Sequence, residues 1–246
     1  MDDPVNTAPT IFSKCFVGKL TFTALACNQF RLVRKNSLDH HQLATIAIAL
    51  ALAWASGIRL YAVLFLVGLA GHFHWFGWQS PQSLAVLSHP IVLGANGLLL
   101  LVEFFADKIP GLDSIWDAAH TFIRIPAGAL LAAGIIGAED GQAWALAAGL
   151  IGGTITAGTH FTKAGGRLAI NASPEPVSNW LASFTEEAAV LGGLWLAFQH
   201  PALFLILLAL FILLMIWLIP TLFRFLRELF RRVGGWLGPN RAARVS

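Results

Sequence analysis

The sequence predicts an all-α fold: a polytopic bundle of transmembrane helices, about six spans, with a C-terminal amphipathic helix at the membrane interface. Three observations predict it. The 246 residues are 57% hydrophobic and only 12% charged, against about 25% charged in soluble domains, and the mean hydropathy is +0.69. Several apolar runs reach roughly 18 residues, the length that crosses about 30 Å of hydrocarbon as helix. The cations are placed asymmetrically between successive apolar runs, which is a topology signal and makes a nucleic-acid partner unnecessary to explain the basic pI.

Residues 1–40 differ in character from the rest of the chain and read as a poorly ordered extension, or as sequence upstream of the true start. Their apolar patch is broken by Lys19 and Asn28 and lacks a small-residue cleavage pattern, so it does not read as a cleaved leader. Both cysteines, Cys15 and Cys27, lie there, and nothing suggests a disulfide framework. The membrane domain is expected over 41–220. Its first run, 43–71, would be about 44 Å long if straight, too long for the hydrocarbon. It therefore tilts, or breaks near Gly57, where Arg59 follows. His72-Phe-His-Trp-Phe-Gly-Trp78 reads as an interfacial aromatic belt. A second run spans 90–106.

Between the second and third runs lies Glu103-Phe-Phe-Ala-Asp-Lys-Ile-Pro-Gly-Leu-Asp-Ser-Ile-Trp-Asp-Ala-Ala-His-Thr-Phe-Ile-Arg-Ile-Pro126, the most charged stretch of the domain. Pro110-Gly111 predicts a turn, and Ser114 with Asp117 predicts a capping box for a short helix over 115–123. Pro126 is expected to open the third run at 127–138 as a first-turn proline. The fourth run, 143–161, carries Ala145, Gly149, Gly153 and Ala157 at four-residue spacing, a close-packing seam. A polar connection is expected over 163–177. The fifth run is 178–198, with Glu186 and Glu187 inside it, and the sixth, 201–219, is uniformly apolar. Beyond Pro220, residues 221–246 form the basic amphipathic helix and tail: Leu222, Phe225, Leu226, Leu229, Val233 and Trp236 share a face opposite Arg224, Arg227, Arg231 and Arg232, which suits an anionic lipid surface.

With six spans and the N-terminus inside, fifteen of the sixteen lysines and arginines fall on the inner side and the outer loops hold none. The sixteenth is Arg59. The expectation is a multi-pass protein of a bacterial inner membrane, both termini cytoplasmic. Six spans also divide into three plus three, the arrangement of an inverted repeat. Its sequence support is Ser56-Gly-Ile-Arg-Leu60 in one half, similar to Gly165-Gly-Arg-Leu168 in the other.

Three stretches together resemble a bacterial family of integral membrane proteins, the domain-of-unknown-function 4126 family. They are Ala55-Ser-Gly-Ile-Arg-Leu-Tyr61, the charged stretch through Pro126-Ala-Gly-Ala129, and Lys163-Ala-Gly-Gly-Arg-Leu-Ala-Ile-Asn-Ala-Ser-Pro-Glu-Pro-Val-Ser-Asn179. The resemblance covers roughly residues 43–200. It implies a multi-pass inner-membrane protein and supplies no catalytic role.

The candidate substrate or ion path comprises Arg59, Glu103, Asp107, Lys108, Asp113, Asp117, His120, Arg124, His160, Lys163, Arg167, Asn171 and Glu186. A charge inside an apolar segment costs about 2.5–3.5 kcal/mol on insertion scales and needs a partner. Arg59 reads as a structural ion pair, as an anion or coupling site, or as a side chain reaching outward. Glu186 shares a face with small residues and is the expected partner of Arg59, with Glu103 or Glu187 as next choices. The acids of the 103–126 stretch read either as a weak cation site or as neutralisers of Lys108, Arg124, Lys163 and Arg167. His72, His74, His89 and His200 on the outer side are ordinary interfacial residues or a metal site, and none is assigned to a metal.

No Gly-x-Ser-x-Gly, phosphate-cradling loop or cysteine–histidine arrangement occurs, so no catalytic residue or cofactor is assigned and an enzyme is not the expectation. Two readings of function remain. One is a small transporter or permease with a polar intramembrane path. The other is a non-transporting scaffold or accessory subunit. Its expected partners are the bilayer, anionic lipid at the C-terminal helix, and a second copy or another membrane protein.

Overall fold

A computed structural model describes residues 21–75, 81–172 and 176–237. Among them all regular structure is helical. The elements are α1 (Thr21–Ile58), α2 (Leu60–Phe73), a 3-10 helix (Gln82–Ser88), α3 (Pro90–Ala106), α4 (Leu112–Asp140), α5 (Gln142–Asn171), α6 (Pro176–Gln199) and α7 (Pro201–Leu237). The chain divides into two compact units, Met1–Leu43 and Ala44–Ser246. The second is the helical bundle.

Its centre is α1 over residues 44–58. Alternating alanines there, with Leu52, Trp54 and Ile58, are buried among Leu131, Ala132, Ile135, Ile155, Val190, Leu194, Phe204 and Leu208. Small side chains let neighbouring helices approach closely, the chief source of packing energy where lipid supplies no hydrophobic drive. α4 and α5 form an antiparallel hairpin turned at Gly141, whose φ of 88° suits glycine. The expected seam on α5 faces α4: a Cβ on Gly153 would lie 3.2 Å from that of Ala129, and one on Gly149 3.5 Å from that of Ala133. Tighter still is the approach one position over, at Gly152, where a Cβ would meet that of Ala132 at 2.5 Å, and Gly128 of α4 packs equally hard on Thr156.

Four stretches are long and apolar enough to cross a bilayer: His40–Ile58, Leu112–Gly137, Val177–Gln199 and Pro201–Phe225. The 3-10 helix and α3, bent 69° at their junction, make a fifth if taken as one broken span. The helical membrane bundle expected from the sequence is borne out, and the count differs from six at α5. That helix is 30 residues long, but the glycines and threonines that fit it against α4 and α1 make it too polar for the same standard.

The second run begins and ends where the sequence places it, at Pro90–Ala106. The long first run breaks, at Arg59, two residues beyond Gly57. Other local expectations are corrected. α4 is continuous from Leu112 with Pro126 in its interior, so there is no separate helix over 115–123 and Pro126 is not a first-turn residue. The ring removes one i→i−4 bond on an exposed face of the helix. No Ser114–Asp117 capping box forms: Asp113 Oδ1 instead accepts from the backbone N–H of Gly111 at 2.9 Å and of Ser114 at 2.6 Å. Residues 163–171, expected in a polar connection, complete α5. α7 likewise runs through Pro220. Residues 1–20 of the N-terminal extension, Phe76–Trp78 of the aromatic belt, most of the amphipathic face beyond Phe225 and the tail 238–246 lie outside the described residues or side chains.

Candidate functional site

The break at Arg59 shapes the site. Its φ of −141° and ψ of 83° leave the helix, although Arg59 N–H still donates to Ala55 O at 2.8 Å and Val63 N–H to Arg59 O at 3.2 Å. The carbonyls at the end of α1 are thereby freed from the ladder. A helix C-terminus carries partial negative charge and favours cations. Two arrive: Arg124 Nη1 donates to Ile58 O at 2.9 Å and Lys163 Nζ donates to the same oxygen at 3.1 Å. Gly57 lets this happen, because a Cβ there would lie 2.6 Å from Thr156 O and hold α5, with Lys163, away.

Each helix around the break presents one polar stripe at helical spacing. α3 supplies Glu103 and, one turn on, Asp107. α4 supplies Asp113, Asp117 and Arg124. α5 supplies Thr156, Thr159, His160, Lys163 and Arg167, and α6 supplies Asn179, Ser183, Glu186 and Glu187. Arg124 Nη2 lies 2.6 Å from Glu103 Oε1 and 3.1 Å from Asp117 Oδ1. Lys163 Nζ lies 2.9 Å from Asp107 Oδ2 and 3.3 Å from Asp117 Oδ1. Arg59 Nη2 lies 3.2 Å from both Asp107 Oδ2 and Glu187 Oε1. Arg167 grips Glu186 with two prongs, Nε to Oε1 at 3.0 Å and Nη2 to Oε2 at 2.8 Å, the geometry for which a guanidinium is suited.

The result is one connected set of five cations and six carboxylates, which includes every charged side chain described between residues 44 and 220. Isolated charges would be untenable in such an interior. Together they neutralise one another to within a single carboxylate. The set is sealed at one end and accessible at the other: Glu103 and Arg124 side chains are 0% exposed, while Glu186 is 17% and Glu187 27% exposed. A cleft of about 350 Å³ lined by Arg59, Phe104, Glu187, Leu101, Val190 and Leu191 opens at that accessible end.

The sequence-derived site residues therefore converge, with different pairings. The expected Arg59–Glu186 pair is the loosest contact of Arg59, at 3.8 Å; Asp107 and Glu187 are its nearer carboxylates, and Glu186 belongs to Arg167. Asn171 Nδ2 donates to Asp113 Oδ1 at 2.8 Å and its Oδ1 accepts from Asn179 at 2.9 Å, closing the set between α4, α5 and α6. His160 is buried, with Nε2 2.8 Å from Thr121 Oγ1. His120 sits at the margin, stacked on Trp116 with ring centroids 4.0 Å apart and edge-on to Tyr61. Ser183 and Asn179 were missed by sequence reasoning. Ser183 Oγ accepts from Arg59 Nη2 at 2.8 Å, and the Asn179 carbonyl from Arg167 at 3.2 Å. Their spacing with Glu186, Val190 and Ala197 marks the inward face of α6 and could have found them.

The outer histidines are scattered: His89 Nδ1 accepts from the Ile91 N–H at 3.3 Å at the start of α3, and His200 packs on Trp195. Among the described residues no group of three or more His, Cys, Asp or Glu side chains is arranged to hold a metal ion.

A family model described as Domain of unknown function (DUF4126) matches residues 46–221, well over half of the chain and the whole of the charged set. No curated protein and no solved structure matches the chain.

Proposed function

We propose, for a chain that belongs to the family Domain of unknown function (DUF4126), that it is a small transporter or permease whose path runs through the charged set. The observation that carries this reading is the interrupted α1–α2 helix, whose freed carbonyls enter a buried network of ionised side chains. Backbone leaves the helical ladder at membrane depth only where it is buried in protein or lines a polar cavity. In secondary transporters, broken helices place such carbonyls at the coupling-ion site. The graded exposure from Glu187 inward gives the network an entrance.

The setting we infer is a bacterial inner membrane, multi-pass, with both termini cytoplasmic. Supporting it are the eleven lysines and arginines outside the network, all of which lie in the two terminal segments that this topology puts inside. Counting α1–α2 and the bent 3-10–α3 pair as one broken span each, with α4 to α7, returns six spans and an even parity.

The test is flux. Purified protein in liposomes is expected to pass at least one member of a panel of small cations, anions and amines, and Arg59→Gln is expected to abolish that flux. Folded protein silent across the panel would overturn the reading. Silence would favour a second one, which the mutual pairing of all eleven charges supports: a non-transporting scaffold, locked by its own ion pairs, that forms a stoichiometric complex with a membrane partner.

A further inference from the structure

One cation of the network is held unlike the others. Arg59, Arg124, Lys163 and Arg167 each have a carboxylate oxygen within 3.2 Å. Lys108, on the turn after α3, has its nearest carboxylate, Glu187, at 3.6 Å. Its ammonium instead sits 3.0 Å from the centroid of the Phe104 ring and 4.8 Å from that of Phe184. Two neutral oxygens complete its surroundings, Phe104 O and Ser183 Oγ, each 3.3 Å away. Two aromatic faces, a hydroxyl, a carbonyl and a carboxylate at the edge of contact make an aromatic cage for a cation. Two acceptors stand at hydrogen-bond distance from the ammonium, and the Glu187 carboxylate, 3.6 Å away, lies within reach of its third N–H donor. The cage also lies at the accessible end of the network: Phe184 is 48% exposed, and Phe104 and Glu187 line the cleft.

We propose that this cage is a binding site for primary ammonium cations and that Lys108 is its tethered occupant, displaced when a free alkylammonium enters. The exchange is one positive charge for one, so the balance of the network is unchanged while the cage stays filled. The lysine is on a turn and carried by a flexible four-carbon stem, so it can withdraw without moving a helix. A quaternary ammonium supplies the charge but no N–H donor, and sodium has no affinity for ring faces comparable with its hydration; neither replaces Lys108. The proposal names a substrate class for the transport reading, and its physiological meaning rests on that reading, but the site is read by binding alone.

The experiment is chemical rescue in detergent. Lys108→Ala empties the cage, and the melting temperature is expected to fall by about 4 °C or more. n-Butylammonium chloride is expected to restore at least half of the loss, with calorimetric binding at least tenfold tighter than to wild type, where Lys108 competes for the same cage. Tetramethylammonium and sodium chlorides at equal ionic strength are expected to restore nothing. Adding Glu187→Gln should remove the rescue. If Lys108→Ala does not fold, Lys108→Met keeps the apolar stem over Phe104 and is titrated in its place with methylammonium, which needs only the ammonium position. Butylammonium acting equally on the variant and on wild type, or on neither, overturns the proposal, as does equal rescue by tetramethylammonium. Rescue without flux of any amine in liposomes would leave the ammonium site standing and remove the transport reading.

Discussion

The two ends of the α4–α5 hairpin are held by opposite means. At the Gly141 end the helices touch through glycine and alanine: a Cβ on Gly137 would come 2.7 Å from that of Ala145, and no charged side chain is described there. At the other end the same two helices meet through Asp113 and Asp117 on one side and Lys163, Arg167 and Asn171 on the other. Close packing of small residues is cheap to build in lipid but says nothing about register beyond shape. A buried ion network is costly to build and fixes its partners individually. A protein that only needed to hold two helices together could have used the first device throughout. The second therefore marks the end of the bundle where function is expected.

The largest effects should separate these two devices. Arg124→Ala strands Glu103 and leaves Asp117 and Ile58 O to Lys163 alone, so it should destabilise the protein in detergent by about 3–5 kcal/mol. Gly152→Ala, in the middle of the close-packed half, forces a methyl against that of Ala132 at 2.5 Å and should cost about 1–3 kcal/mol. Chemical unfolding of both variants decides it. An Arg124→Ala protein milder than Gly152→Ala would mean that water, not Arg124, compensates the two acids.

Next in size is the partition of pairing within the network. Double-mutant cycles to alanine should give Arg167–Glu186 the strongest coupling, toward the upper end of about 0.5–3 kcal/mol, because both prongs are engaged. Arg59–Glu187, a single contact at 3.2 Å, should be weaker, and Arg59–Glu186 at 3.8 Å weakest. Strong coupling confined to Arg59–Glu186 would contradict this arrangement of side chains.

That ordering also shows what the sequence could carry. Apolar run length placed α3 and α6 closely, and the cost of intramembrane charge singled out residues that converge in space. The pairings were illegible because they depend on where α1 breaks. Residue counting set Arg59 and Glu186 at similar depth, but it could not foresee that α5 continues ten residues beyond Phe161 and brings Arg167 onto Glu186. Pro126 misled in a related way. A proline at the head of an apolar run reads as a helix start, whereas here the preceding residues keep the helix because Asp117 and Arg124 must share its inward face. The inward face of α6 was readable from Glu186 and the small residues that share it, but Ser183 and Asn179, one and two turns before Glu186 on that face, were left out.

The smallest expected contrast compares one neutral polar side chain at each end of the hairpin. Ser83 Oγ donates to Gly134 O at 2.9 Å at the close-packed end, where Ser83 is exposed. Water can replace that bond, so Ser83→Ala should cost no more than about 0.5 kcal/mol. Asn171 is only partly buried, but it donates to Asp113 Oδ1 and Ser114 Oγ and accepts from Asn179. Removing it leaves the buried Asp113 carboxylate short of a donor, so Asn171→Ala should cost about 1–3 kcal/mol. Thermal unfolding in the same detergent gives both numbers. Near-equal losses would mean that the charged end is as wet as the surface, and the seal inferred from the burial of Glu103, Asp113 and Arg124 would fail with it.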